Sequence, residues 1–173
     1  IGMKKNIKLI VADIDGTISA PPNPYLKPFT KDIIAKLHEA GYIFGIASGR
    51  PIYQIKRTVD MWDLKYYPDF LIGFNGAELY DSKKDEIIQR DFLSAEQVKE
   101  AFNYMKPFED ITNSFIYYHE GMLFEKMDQV LEKAMKKYKG LEDVNFAKDK
   151  SLLWSEGNGK VHFRCLDATD MPR

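Results

Sequence analysis

The stretch Ile7-Lys8-Leu9-Ile10-Val11-Ala12-Asp13-Ile14-Asp15-Gly16-Thr17-Ile18 decides the reading of this chain. Its first half is an almost unbroken apolar run, the pattern of a strand buried on both faces of a parallel sheet, so a central strand is expected. Its second half places two acids where that strand ends. With a side-chain period of two, Asp13 and Asp15 project to one side while Ile14 turns back to the core. Two carboxylates held that close attract a divalent cation or share a proton. Gly16 permits a sharp turn, and Thr17 brings a hydroxyl and an N–H beside the acids. A lone Asp-Gly is usually just a turn. Four specified residues in five, at about one-in-twenty usage each, arise by accident in a chain of this length with odds on the order of 10⁻³. The functional reading therefore outweighs the turn.

Outward from this stretch the chain alternates. Pro21, Pro22, Pro24 and Pro28 make residues 18–29 a loop. Thr30 is the expected cap of a helix with Ile33, Ile34 and Leu37 on one face, and Gly41 sits where a helix end favours a positive φ. An apolar strand over Tyr42 to Ala47 ends at Ser48-Gly49-Arg50, and Pro51 opens a helix reaching about Trp62. A third strand, Phe70 to Gly73, leads into Asn75-Gly76. Strand, helix, strand, helix, strand at this spacing predicts an open parallel α/β sheet, and such sheets bind ligands beyond the carboxyl ends of their strands. At that rim Ser48-Gly49-Arg50-Pro51 aims a hydroxyl and helix-start N–H groups outward, an anion cradle. Asn75-Gly76, a turn by itself, ends the third strand at the same rim.

The character changes after Asp81. Ala77 to Tyr80 and Glu86 to Asp91 flank a polar turn and read as a hairpin. Ser94 with Gln97 forms a capping box before the stripe Val98, Ala101, Phe102, Met105, which Pro107 ends. Phe115 to His119, Leu123-Phe124, Leu152 to Ser155 and Lys160 to Cys165 read as strands. Met127, Val130, Leu131, Ala134 and Tyr138 make another helical stripe, closed by Gly140. The prediction is an α+β module on an antiparallel sheet. Its aromatics Phe102, Tyr104, Phe115, Tyr117, Tyr118 and Phe124 read as core rather than as a pocket lining.

Composition removes several classes. The 173 residues are 45% hydrophobic and 29% charged, which excludes a disordered tail, a rod and a coiled coil. Lys+Arg of 25 against Asp+Glu of 26 leaves a net charge of -1, with no electrostatic footprint for nucleic acid or an anionic membrane. The single cysteine, Cys165, excludes an intrachain disulfide and points to a reducing, cytoplasmic setting. His38, His119 and His162 are scattered, without metal-ligand spacing. The Ile7 to Ala12 run is far short of the ~20 apolar residues of a membrane span.

Val11 to Ile18 (V-A-D-I-D-G-T-I), Ala47 to Pro51 (A-S-G-R-P) and Phe74 to Asp81 (F-N-G-A-E-L-Y-D) together resemble the haloacid dehalogenase superfamily, and within it the Cof-type sugar-phosphate phosphatases with a type II cap. The resemblance is carried by residues 7–81 and is architectural beyond them. It implies a Rossmann-like core, its N-terminal part at residues 3–81, and an α+β cap at 82–173. It also implies a two-step phosphoryl transfer on a small phosphorylated metabolite. Asp13 would be the nucleophile and Asp15 the general acid and base. Mg2+ would be held by the Asp13 carboxylate and the Asp15 backbone carbonyl. Ser48, Gly49 and Thr17 would serve the phosphoryl group, and Arg50, Asn75 and Gly76 would face the substrate.

Such phosphatases also use a later lysine and a Gly-Asp-x-x-Asn-Asp-like acidic loop. Asp167-Ala168-Thr169-Asp170 lacks the preceding Gly, and Lys160 opens a strand-like run. The expectation is that part of the core lies outside these residues, which would leave the first strand as an exposed edge prone to self-association. Two other readings stay open: a phosphomutase of the same superfamily, and a non-catalytic phosphoacceptor or binding module.

Overall fold

The computed structural model describes residues 7–19, 25–137 and 143–166. The expectations for Pro21, Pro22 and Pro24, for Tyr138 and Gly140, and for Asp167 to Asp170 lie outside the described residues. The chain divides into two units, Ile1–Arg90 and Asp91–Arg173.

In the first unit, β1 (Leu9–Asp13), β2 (Ile43–Ala47) and β3 (Phe70–Gly73) run parallel, and β4 (Glu78–Asp81) and β5 (Glu86–Gln89) continue the sheet antiparallel, in the order β1-β2-β3-β4-β5. Helices α1 (Pro28–Glu39) and α2 (Ile52–Trp62) connect the parallel strands. The helix α1 starts at Pro28 rather than after a Thr30 cap, because the fixed φ of proline suits the first helical position. Gly41 has φ +80, the left-handed conformation expected after that helix. Along α2 the residues Ile52, Ile55, Val59 and Trp62 fall on one face and are all buried against Phe44, Ile46 and Leu71. Each such side chain contributes roughly 1.5–3 kcal/mol through burial, so this face anchors the helix whose first turn borders the site.

Among the described residues the apolar first strand is the outermost of its sheet, the edge expected where part of the core lies outside these residues. Its Ile10 and Ala12 pack against the core, but Leu9 is 49% and Val11 43% exposed, and β2 is its one partner strand among the described residues. One face of β1 is covered and the other is open, which periodicity in an all-apolar strand does not distinguish. The hairpin read at the start of the second module pairs with β3 and so completes the first sheet. Its turn is held by the Asp81 carboxylate, which accepts from the Lys83 and Lys84 N–H groups at 3.0 and 3.3 Å.

In the second unit, α3 (Ala95–Met105) begins with the expected reciprocal cap, Gln97 N–H to Ser94 Oγ at 3.3 Å and Ser94 N–H to Gln97 Oε1 at 2.8 Å. Its sheet has the order β8-β7-β6-β9, with β6 (Thr112–Tyr118), β7 (Gly121–Phe124), β8 (Asp143–Phe146) and β9 (Val161–Cys165). β6 pairs antiparallel with β7 and β9, but β7 and β8 are parallel, so the sheet is mixed rather than antiparallel throughout. The reason is the intervening α4 (Gln129–Lys137), which carries the chain back so that β8 can run alongside β7. The expected strand at Leu152 to Ser155 is instead part of a 3₁₀ turn over Lys150–Trp154. Asp149 starts it by accepting the Ser151 N–H at 2.8 Å, and the turn buries Leu153 beside Val98 and Phe102. Of the aromatics read as core, Phe102 and Phe124 are buried, whereas Tyr104 is 81% exposed on the outer side of α3.

Candidate active site

The candidate site lies at the carboxyl ends of β1, β2 and β3 in the first unit. Asp13 ends β1 and pairs in register with Ala47, which places it beside Ser48 at the end of β2. Past Asp13 the chain folds over itself. Gly16 (φ +81) donates its N–H to Ser19 O at 2.8 Å, and Ser19 returns its N–H to Ile14 O at 2.9 Å. Ile14, 1% exposed, is the plug that anchors this turn in the core. Asp13 and Asp15 are therefore both presented to solvent, as the alternation predicts.

The two acids have different surroundings. Asp15 is held in a fork by Arg50, with Nη2 donating to Oδ1 at 2.7 Å and Nε to Oδ2 at 3.2 Å. The Asp13 carboxylate takes no side-chain hydrogen bond or ion pair among the described residues. The structure thus leaves one acid unengaged next to one that is restrained.

Backbone bonds bind the second and third strand ends together. Ser48 N–H reaches Ile72 O at 2.9 Å, Phe74 N–H reaches Arg50 O at 2.9 Å, and Asn75 N–H reaches Ser48 O at 3.2 Å. Making the last two requires φ of 47° at Phe74 and 57° at Asn75, followed by 111° at Gly76. Non-glycine residues rarely adopt this region, and the surrounding lattice of bonds is what holds them there. The Ser48 hydroxyl is buried and accepts the Arg50 N–H at 3.3 Å. Asn75 and Thr17 are exposed at the rim. The predicted residues Asp13, Asp15, Ser48, Gly49, Arg50, Asn75 and Gly76 thus share one edge of one unit. Thr17 stands beside them in the turn, and its side chain forms no bond to them.

To three residues of this site the motif reading assigns no role, although Glu78 lies within the stretch Phe74 to Asp81. Glu78, buried on β4, accepts the Ile52 N–H on Oε2 at 2.8 Å and the Gln89 amide on Oε1 at 3.0 Å. It caps α2 from another strand, which is why Pro51 at the cap position needs no side chain of its own. Gly73 lets β3 approach the Ser48 to Ile52 loop: a Cβ there would lie 3.0 Å from both Arg50 O and Ile52 N. Thr58, buried on α2, accepts from Arg50 Nη1 at 3.2 Å. The motifs include Glu78 without giving it a role, and carry no signal for Thr58. A buried polar residue on an otherwise apolar face is the trace each leaves.

The donors suit a hard divalent cation in kind, being carboxylate oxygens with a backbone carbonyl between them. The Ile14 carbonyl is taken by the turn, receiving the Thr17 and Ser19 N–H groups, while the Asp15 carbonyl accepts no turn bond among the described residues. Among those residues there is no cluster of three or more His, Cys, Asp or Glu placed to ligate a metal. No described helix is long and apolar enough to cross a membrane.

A family profile described as haloacid dehalogenase-like hydrolase matches residues 10–163. A protein of Buchnera aphidicola subsp. Schizaphis graminum, provisionally named a phosphatase, is 40% identical over 74 residues, covering 43% of this chain and 26% of that protein. A solved Thermotoga maritima structure superimposes with a TM-score of 0.68 at 22% identity, covering 90% of this chain and 55% of its own. A solved sugar phosphatase of HAD subclass IIB gives 0.67 at 19% identity, covering 87% and 56%. The chain spans about half the length of the solved structures it matches, and at these identities the structures show a shared fold.

Proposed function

This chain belongs to the haloacid dehalogenase-like hydrolases, and on that premise we propose that it carries the nucleophile of a magnesium-dependent phosphatase acting on a small phosphomonoester, a sugar phosphate or similar cytoplasmic metabolite. The observation that carries the reading is the contrast between the two acids: Asp13 unengaged at the end of β1, Asp15 restrained two residues later.

Asp13 attacks the phosphorus, the bond from phosphorus to the ester oxygen breaks, and an aspartyl-phosphate forms. Asp15, carrying a proton taken up from solvent, exchanges part of its fork with Arg50 for the leaving oxygen and gives it that proton. A water then attacks the phosphorus, Asp15 takes a proton from that water, and the bond to Asp13 breaks to release inorganic phosphate. Ser48 and the Gly49 N–H hold phosphoryl oxygens, Thr17 supports the nucleophile turn, and Arg50, Asn75 and Gly76 face the substrate. When bound by the Asp13 carboxylate and the Asp15 carbonyl, Mg2+ supplies positive charge that offsets repulsion between nucleophile and phosphate.

The test is turnover of a generic phosphomonoester by the intact protein, with and without Mg2+. Asp13→Asn is expected to leave less than about 10⁻³ of the activity, and survival of activity refutes the assignment. Hydrolysis in ¹⁸O-water is expected to place label in the released phosphate; label-free phosphoryl transfer to a sugar favours the phosphomutase instead.

A further inference from the structure

The helix α2 carries two polar side chains, Gln54 and Thr58, on a face otherwise made of Ile52, Ile55, Val59 and Trp62; each is 6% exposed. Buried polar groups on an apolar face need partners. The Thr58 hydroxyl has two. It donates to Gln54 O at 2.9 Å, one turn earlier, and accepts from Arg50 Nη1 at 3.2 Å. Because its proton is committed to the helix carbonyl, its lone pairs are directed at the guanidinium.

That matters because the Arg50 to Asp15 pair is poorly placed to hold itself. The two side chains are 36% and 48% exposed, and exposed ion pairs contribute about 0–1 kcal/mol, much of it spent on ordering long side chains. Arg50 is nevertheless fixed along its length. Its N–H goes to Ser48 Oγ, its carbonyl takes the Phe74 N–H, Nη1 is on Thr58, and Nε and Nη2 remain to face Asp15. The guanidinium is planar, so pinning Nη1 sets the direction of the other two donors.

We propose that Thr58 is a positioning residue for the acid: through Arg50 it orients the Asp15 carboxylate, coupling the nucleophile turn to the buried face of α2. Only the kinetic consequence rests on the phosphatase reading; the orientation does not. When Asp15 turns to the leaving oxygen, a guanidinium anchored at Thr58 stays in place to receive it again for the second step.

The experiment uses Thr58→Val, which keeps the branched shape and removes the acceptor, with Thr58→Ser as the conservative control, both in the intact protein. The first readout is the ¹⁵N relaxation order parameter of the Arg50 Nε–H bond. It is expected to fall below about 0.6 in T58V and to stay at the wild-type value in T58S. An unchanged value in T58V overturns the proposal whether or not the protein is a phosphatase. The second readout is steady-state kinetics. T58V is expected to lower kcat about tenfold, the scale of one lost hydrogen bond to a charged group. KM should stay within about twofold, the pH profile of kcat should change, and T58S should restore both. Equal loss in T58V and T58S, or a change in KM alone, also overturns it. A wild-type protein without phosphatase activity whose Arg50 loosens in T58V would refute the phosphatase reading and leave the positioning intact.

Discussion

Replacing Gly73 by Ala tests whether the rim of the site is as tightly laced as its distances indicate. Gly73 has φ -110 and ψ 170, extended backbone open to any residue, so alanine brings no conformational strain there. The cost is steric. The new Cβ would sit 3.0 Å from Arg50 O, 3.0 Å from Ile52 N and 3.1 Å from Glu78 Oε2, so each atom must retreat by a few tenths of an ångström. Two of them are backbone atoms that cannot rotate away. Moving Arg50 O stretches the 2.9 Å bond from Phe74 N–H, and moving Glu78 Oε2 stretches its 2.8 Å bond from Ile52 N–H. Overpacking of this kind costs about 1–3 kcal/mol, and weakening one of the two bonds adds about 1 kcal/mol. Against this, losing glycine's freedom in the unfolded chain returns about 0.4–1 kcal/mol. The expected net destabilisation is roughly 2 kcal/mol. Urea unfolding followed by tryptophan fluorescence measures it in the first unit alone if Trp154 is replaced by Phe, since Trp62, 0% exposed in that core, is the other of the two tryptophans. A Gly73→Ala loss below about 0.5 kcal/mol with an unchanged m-value would falsify the packing argument. Gly16→Ala is the matched control: no atom lies within 4 Å of its Cβ, but φ is +81, so its loss of about 1–2 kcal/mol is backbone strain alone.

The remaining predictions concern the second unit and the open edge. Burial, with help from the Lys160 charge, pushes the His162 imidazole down to about 4. An unfolded histidine titrates near 6.5, so the stability tied to the neutral ring is full above pH ~6.5 and is lost as pH falls toward 4. The shift corresponds to at most about 3 kcal/mol, reduced to about 1–2 kcal/mol by the ring's partial exposure. The difference in unfolding free energy between wild type and His162→Phe should change by that amount between pH 7.5 and 4.5; a constant difference would show that the ring titrates normally. At the edge, Leu9→Lys should weaken self-association of the 173-residue chain in sedimentation velocity while changing stability by less than about 0.5 kcal/mol. Equal association in both chains would show that β1 is not the sticky element.

What the sequence discloses here depends on how far away the physical reason for a residue lies. The Ser94 and Gln97 cap, the positive φ of Gly41 and the outward projection of Asp13 and Asp15 about Ile14 have causes within four residues, and each is as expected. Asn113 is a counterexample. It is polar, so the strand appeared to begin later, yet it is 0% exposed because its amide donates to Lys126 O and its carbonyl accepts the Lys126 N–H, thirteen residues on. Glu78 caps a helix twenty-six residues before it, and neither end of that bond looks unusual in the sequence. The all-apolar β1 is the opposite case: Leu9 and Val11 have the composition of covered residues on a face left open among the described residues. Polar residues at periodically apolar positions are thus the places where a long-range bond has replaced hydrophobic burial. In the first unit, two of those places, Glu78 and Thr58, bond directly to the loop from Ser48 to Ile52. Evolution of this site can therefore act on the orientation of Arg50 through Thr58, outside the motifs, and on the α2 N-terminus through Glu78, inside the Phe74 to Asp81 stretch, and substitutions there should tune the acid while the Asp13 to Thr17 stretch stays unchanged.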